Sequence, residues 1–375
     1  MIRKLITLFL LTIFIWLIWS SSGRNTPLPE PINHISLVEE VNSSDSFSRN
    51  IIGIQPLMDV SDYFIETTFK DKIRQYLVAA TRKSFIQKNS IIVYPESIGT
   101  WLFLLGEKHN IIQKNTFLEA RNTLVYSNSF DYMLGYIKTS DEEDKQLSAI
   151  FRMKAKSMLS AYYDTFSALS KETNTYIVAG SIVLPDPKVV DGEIYVELGG
   201  PLYNASFIFG PDGLVIGNPI LKAFLNTSEA RYTSAGNPQD LQVFDLPFGK
   251  TAVMLGTDNM YSESYQNLIK SEAEILLSPA FCYSDKKMSE KISSLDSLGT
   301  LTHANNASNS AKPERYEVNK LQSLIENTSV QVAVGVSMFG ELWDLNNPNP
   351  PIVIFKGESL PLTPSDQGAV FSFNF

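Results

Sequence analysis

The 375-residue sequence holds one cysteine, Cys282, and three scattered histidines, His34, His109 and His303. That scarcity excludes an internal disulfide framework, a Cys/His zinc cluster and an iron–sulfur site. No cofactor or metal is expected, and any chemistry falls to carboxylates, lysines, hydroxyls or the single thiol. Basic clusters are missing too: 31 Lys+Arg are dispersed among 40 Asp+Glu, for a net charge of -9. A nucleic-acid binder needs a basic face to neutralise phosphates, so nucleic acid is not an expected partner. What the chain does have is apolar material, 44% of its residues against 19% charged. That is ample for a large buried core and excludes disordered, collagen-like and coiled-coil classes.

One apolar run stands apart. Arg3 and Lys4 precede fifteen residues, Leu5 to Trp19, interrupted only by Thr7 and Thr12. Residues 1–23 therefore read as a signal peptide or a single membrane anchor. Ser20 and Ser22 before Gly23 suit cleavage, whereas Trp16 and Trp19 sit where the interfacial belt of a retained anchor lies. The charges at the start place the N-terminus in the cytoplasm and the body on the extracytoplasmic side, membrane-anchored or secreted. Without residues 1–24, which hold Arg3, Lys4 and Arg24 and no acid, 28 basic residues face 40 acidic ones. So acidic a body is a poor dock for anionic headgroups, and membrane contact is expected through the N-terminal segment alone.

Residues 24–50 are rich in Pro, Ser and Asn and read as a linker, with an α/β domain over 51–375. IIGIQ at 51–55, a helix over about 62–88 and IIVYPE at 91–96 form a βαβ opening, the helix aligning Phe69, Ile73, Tyr76, Leu77 and Ala80 on one face. A second amphipathic stretch near 145–171 leads into YIVAGSIVL and then a hairpin over 203–217 turning at Pro-Asp-Gly. Further short apolar runs recur to the C-terminus, with a helix near 313–326. Residues 99–144 and 284–312 read as surface excursions. Asn42, Asn226, Asn306 and Asn327 offer glycosylation sequences, while Asn204, in the same pattern, reads as buried.

Four placements carry candidate chemistry. Glu96 ends a strand in Tyr-Pro-Glu-Ser, where α/β sheets hold their ligands. Lys222 lies among apolar residues, with Glu229 seven positions on. Gly256, Thr257 and Asp258 form a sharp turn after the apolar strand TAVML.

In order and spacing these segments resemble the carbon–nitrogen hydrolase (nitrilase/amidase) superfamily. The resemblance spans about residues 51–356: Ile54-Gln55 closing the first strand, Pro95-Glu96, the glycine strand Val178–Ser181, Tyr203-Asn204, the Asp212-Gly213 turn, Lys222, Glu229 with Gly236, and Ser278-Pro279. It implies a four-layer α-β-β-α sandwich and a homodimer. It also implies three catalytic residues: Glu96 as general base, Lys222 as oxyanion stabiliser and Glu229 as the second, positioning acid. Tyr203, Asn204, Gly256, Thr257, Asp258 and Cys282 are expected around the pocket. The departure is at the nucleophile: in the family's Cys-X-Asp turn Asp258 matches the acid and Gly256 falls on the cysteine. The resemblance thus implies a protein without thiol catalysis that binds an amide- or carboxylate-bearing small molecule. The alternatives are an active amidase-type hydrolase or acyltransferase with a substituted nucleophile, Cys282 or Thr257, and a scaffold that uses the fold for interaction alone.

Overall fold

The computed structural model describes residues 1–32, 34–43, 47–139, 142–280, 313–340, 342–345, 350–365 and 367–375. Cys282, Asn306 and the 284–312 excursion lie outside the described residues. In chain order the strands are β1 (Ile35–Val41), β2 (Asn50–Gln55), β3 (Ser90–Val93), β4 (Tyr176–Pro185), β5 (Pro187–Val190), β6 (Glu193–Val196), β7 (Leu202–Phe209) and β8 (Val215–Leu221). They continue as β9 (Val243–Leu246), β10 (Gly249–Val253), β11 (Ile275–Pro279), β12 (Val332–Val336), β13 (Ile352–Phe355), β14 (Glu358–Ser359) and β15 (Gly368–Asn374). The helices are α1 (Ile2–Ser21), α2 (Glu66–Arg82), α3 (Phe117–Ser127), α4 (Ser129–Ile137), α5 (Lys145–Thr173), α6 (Tyr265–Ser271) and α7 (Pro313–Ile325).

Two large sheets follow from the strand patterning, beside a two-stranded antiparallel ribbon of β5 and β6. One has seven strands in the order β1-β15-β2-β3-β4-β7-β8, the other six in the order β14-β13-β12-β11-β10-β9. In each, three central strands run parallel, β2-β3-β4 and β10-β11-β12. Because side chains alternate along a strand, each sheet has two apolar faces to cover. Ile51, Ile91, Val93, Val178 and Ile208 meet Val253, Ile275, Leu277, Val332 and Val334 between the sheets. On the opposite face Ile52, Ile54, Ile92, Phe207 and Phe209 pack with α2 and α5. On the outer face of the second sheet Ala252, Leu276 and Ala333 pack with α6 and α7. The architecture is the four-layer α-β-β-α sandwich. Gly53 is demanded by this packing, since the Phe371 ring on β15 occupies the space its Cβ would fill, 2.1 Å away.

The helices begin and end where their chemistry dictates. The Asp144 carboxylate accepts from the Leu147 N–H at 3.1 Å and starts α5, and Asn174 closes it in the left-handed conformation. In α2 the stripe Phe69, Ile73, Tyr76, Leu77 and Ala80 is buried throughout, each larger side chain contributing about 1.5–3 kcal/mol.

Two stretches differ from the sequence expectation. The 24–50 segment contains β1, which pairs in parallel with β15 as the edge of the seven-stranded sheet. Its ISLVEEV pattern is half-polar because an edge strand is half solvated, and this hid it among Pro and Ser. The segment is also fastened to the body by the Lys72 ammonium on the Ile32 carbonyl, 2.5 Å, so it is not a free linker. Within 99–144, Thr100–Leu104 is wholly buried rather than a surface excursion, Trp101 and Phe103 lying beneath Phe117.

Candidate active site

Glu96, Lys222 and Asp258 lie just beyond the C-terminal ends of β3, β8 and β10, and Asn204 lies within β7. β3 is prolonged by a bond from the Tyr94 N–H to the Val178 carbonyl, 2.9 Å, before the chain turns through Pro95-Glu96. Gly180 allows that turn to lie against β4: its φ is +66°, and a Cβ on it would stand 2.0 Å from the Pro95 carbonyl oxygen. The register shift between Val178 and Ser181 bends β4 here, and Ser181 Oγ accepts from the Ser97 N–H at 2.7 Å. On the neighbouring hairpin, the Lys222 N–H donates to the Asn204 carbonyl at 2.9 Å, setting Lys222 just beyond β8. Glu229 opens a short 3-10 turn. Asn226 organises it: its Oδ1 accepts from the N–H groups of Ser228 and Glu229, and its own N–H donates to Glu229 Oε2 at 3.0 Å.

The three loops converge on one ammonium. Lys222 Nζ donates to Glu96 Oε1 and to both oxygens of Glu229, each at 2.8 Å. Asn204 Nδ2 bridges the acids from β7, 2.9 Å from Glu96 Oε1 and 3.4 Å from Glu229 Oε1. Both partners are acceptors, which assigns the amide nitrogen to them, and Asn204 Oδ1 is left buried with no partner among the described residues. The four side chains are 1–3% exposed. Asp258, beyond β10, accepts from the N–H groups of Ala223 (3.1 Å) and Phe224 (2.7 Å), tying the Gly256 turn to the lysine loop.

Burying these charges tunes them. Desolvation pushes the Glu96 carboxyl up to about 7, with Lys222 pulling it down and Glu229 pushing it further up. Desolvation likewise raises Asp258 to about 6, against the lowering effect of its two backbone donors. Desolvation alone would lower Lys222, but Glu96 and Glu229 override it and hold the ammonium charged. An acid whose folded pKa lies above its unfolded value binds more protons in the native state, so its share of stability falls as pH rises from about 4.5 to 7. We expect Glu96→Gln to remove about 1–3 kcal/mol of the stability that the wild type gains on acidification from pH 7.5 to 5. Urea unfolding at the two pH values measures this, and an unchanged pH slope contradicts the raised carboxyl.

The remaining candidates divide. Gly256, with φ +48°, faces the cluster: a Cβ built on it would lie 2.4 Å from Glu96 Oε2 and 3.1 Å from Lys222 Nζ. The Thr257 hydroxyl donates to the Phe224 carbonyl at 2.5 Å, so its proton is engaged away from the acids. Strand alternation turns Tyr203 to the opposite face from Asn204, with Ala205, Phe207 and Phe209 toward the helices. Asn226, which also fits a glycosylation sequence, organises the Glu229 turn through its Oδ1 and backbone N–H. The Ser/Asn pattern of such a turn, Asn-Thr-Ser-Glu, was the signal for this use. Gly180 and Ser181 also carry more than strand pairing, holding the Glu96 turn in place. Among the described residues no group of three His, Cys, Asp or Glu is placed to hold a metal ion.

The four-layer sandwich with parallel-centred sheets is a fold shared with solved amidases of the nitrilase superfamily. The chain is similar to an amidase from Nesterenkonia sp., with TM-score 0.51 at 12% identity over 88% of this chain and 92% of that one. It is equally similar to a cysteine-to-alanine variant of the Nesterenkonia AN1 amidase of the nitrilase superfamily, with TM-score 0.52 and 12% identity over 88% and 92% of the two chains. A third structure, at TM-score 0.52 and 10% identity over the same shares, is a glutamate-to-glutamine variant of that amidase carrying the acetamide moiety of fluoroacetamide on its active-site cysteine. No family model matches the sequence, and no curated protein does.

Proposed function

We propose that this is a carbon–nitrogen hydrolase-like protein that binds an amide- or carboxylate-bearing small molecule and lacks the family's thiol nucleophile. The single observation that carries the reading is the direction of the missing side chain at Gly256. A Cβ there would aim between Glu96 Oε2 and Lys222 Nζ, the two groups that would take a nucleophile's proton and stabilise an oxyanion. Glycine supplies no attacking atom. The unpartnered Asn204 oxygen and the charged Lys222 supply an acceptor for an amide N–H and a donor for a carbonyl or carboxylate oxygen. Residues 1–23 retain or export the protein at a membrane, with the body on the extracytoplasmic side. We also propose that residues 51–375 act as one domain that pairs with a second copy as the family does.

The test restores the thiol. Gly256→Cys in a Cys282→Ala background should be alkylated by iodoacetamide with an apparent pKa below about 8.5, the value of an ordinary thiol. Adding Glu96→Gln should slow alkylation at pH 7 by about tenfold, because the proton acceptor is gone. The positive φ and the close Glu96 contact should lower stability by about 1–3 kcal/mol, and Gly256→Ala measures that cost separately. Alkylation at about pKa 8.5 in a folded protein, indifferent to Glu96→Gln, would reject the reading. Thermal shifts of the wild type with short amides and carboxylates test the ligand class, and a shift with neither removes it.

A further inference from the structure

Helix α4 reverses the usual amphipathic order. Phe130, Met133, Leu134 and Ile137 recur at the spacing of one helical face, and that face is the exposed one, at 63%, 50%, 46% and 70%. The side turned to the protein is seated by Gly135, where a Cβ would come 2.5 Å from the Ala149 carbonyl oxygen of α5. Tyr126 at the end of α3, 64% exposed, extends the apolar strip toward α1. Isolated apolar residues on a surface are ordinary, but an aligned stripe of four marks a surface that something covers.

The occupant is indicated by what adjoins it. α1 is apolar along its length with no buried residue, and its C-terminal end is fastened to the corner between α3 and α4. The Trp16 indole donates to the Tyr126 carbonyl at 3.0 Å. Arg24 donates to Asn128 Oδ1 at 3.0 Å and to the Gly106 carbonyl at 2.5 Å. Lys108 stands 4.5 Å over the Trp19 ring and donates to the Ser22 carbonyl at 2.6 Å. Tryptophans with a neighbouring lysine mark the level at which a spanning helix leaves the hydrocarbon. α4 starts at Ser129, one residue from that corner.

We propose that α4 lies in the bilayer interface beside α1, with Phe130, Met133, Leu134 and Ile137 turned into the upper acyl region. This rests on the reading of α1 as a retained anchor. The occupant is a zwitterionic phospholipid surface: the body carries an excess of acid, and Asp131 and Lys138 flanking the stripe offset each other, so apolar burial rather than headgroup charge supplies the attraction. The contact also governs where the candidate site sits. Just past α4, Asp144 donates its N–H to the Arg231 carbonyl at 2.7 Å and Glu143 pairs with the Arg231 guanidinium at 2.9 Å, two residues beyond Glu229.

The test uses the full chain in phosphatidylcholine vesicles, in a Cys282→Ala background, with one environment-sensitive fluorophore at Leu134→Cys, Phe9→Cys on α1 or Ser359→Cys on the far sheet. We expect quenching by shallow spin-labelled lipid at position 134 to exceed that at position 359 by about threefold or more, with little change in high salt. Joint replacement of Phe130, Met133 and Ile137 by Ser should abolish it while deep quenching at position 9 persists. If position 9 is quenched and position 134 only matches position 359, the α4 proposal falls and the anchor stands. No quenching at position 9 removes the anchor and the proposal with it. Shielding at position 134 without lipid quenching, together with cross-links between copies through that position, assigns the stripe to a second copy instead.

Discussion

Lys222→Met should destabilise the protein by about 3–5 kcal/mol at pH 7.5, because it leaves two carboxylates facing each other without a counter-charge in a dry site. Glu96 and Glu229 are 1% and 3% exposed, too deep for water to replace the ammonium. The loss should depend steeply on pH. Without Lys222 the chief influence lowering the Glu96 carboxyl is gone, so that group moves still further above its unfolded value and the native state binds the extra proton more readily. By linkage the variant then gains stability as pH falls, and at pH 5 the gap from wild type should shrink by about half. Chemical denaturation at both pH values reads this directly. An equal loss at both would mean that removing Lys222 leaves the Glu96 carboxyl where it was, against an ammonium 2.8 Å away that holds it down.

Gly180→Ala should have an effect of similar size at a residue that touches no charge. The substitution forces a left-handed φ of +66° on alanine and drives its Cβ against the Pro95 carbonyl, which is backbone and has nowhere to go. We expect a loss of about 2–4 kcal/mol. Displacement of the Pro95-Glu96 turn should also take Glu96 off Lys222 and flatten the pH dependence assigned to that carboxyl. Gly199→Ala is the matched control. Nothing lies within 4 Å of a Cβ there, and its stability should stay within about 0.5 kcal/mol of wild type. If Gly180→Ala destabilises the protein but leaves the pH dependence intact, the glycine serves β4 alone and does not position Glu96.

These two residues differ in how visible they were beforehand. Lys222 was singled out by its apolar neighbours and by its place in an ordered series of segments from Glu96 to Ser278-Pro279. Gly180 entered only as one letter of a strand, because its importance comes from a carbonyl 85 positions earlier in the chain. The same contrast separates Asn204 from Tyr203, named together as pocket residues. Once the register of β7 is known they fall on opposite faces of the sheet, and the two-residue alternation of a strand cannot be phased from sequence without knowing which face is covered.

What the sequence determined by itself was whatever rests on local pattern: the alternating runs that become buried strands, the helical stripe of α2, the Pro-Asp-Gly hairpin turn, the apolar N-terminal helix, and the order of acid, lysine and acid along the chain. The tertiary structure alone decided the rest. It made an edge strand of Ile35–Val41, which is stable only because β15 lies beside it. It brought Glu96 and Glu229 onto one ammonium from loops 133 positions apart. It gave the Thr257 hydroxyl to a backbone carbonyl, and it turned the apolar face of α4 outward. Local patterns are readable because period and turn chemistry act within a few residues. Contacts between distant segments depend on the register and packing of whole sheets, which no short window of sequence contains.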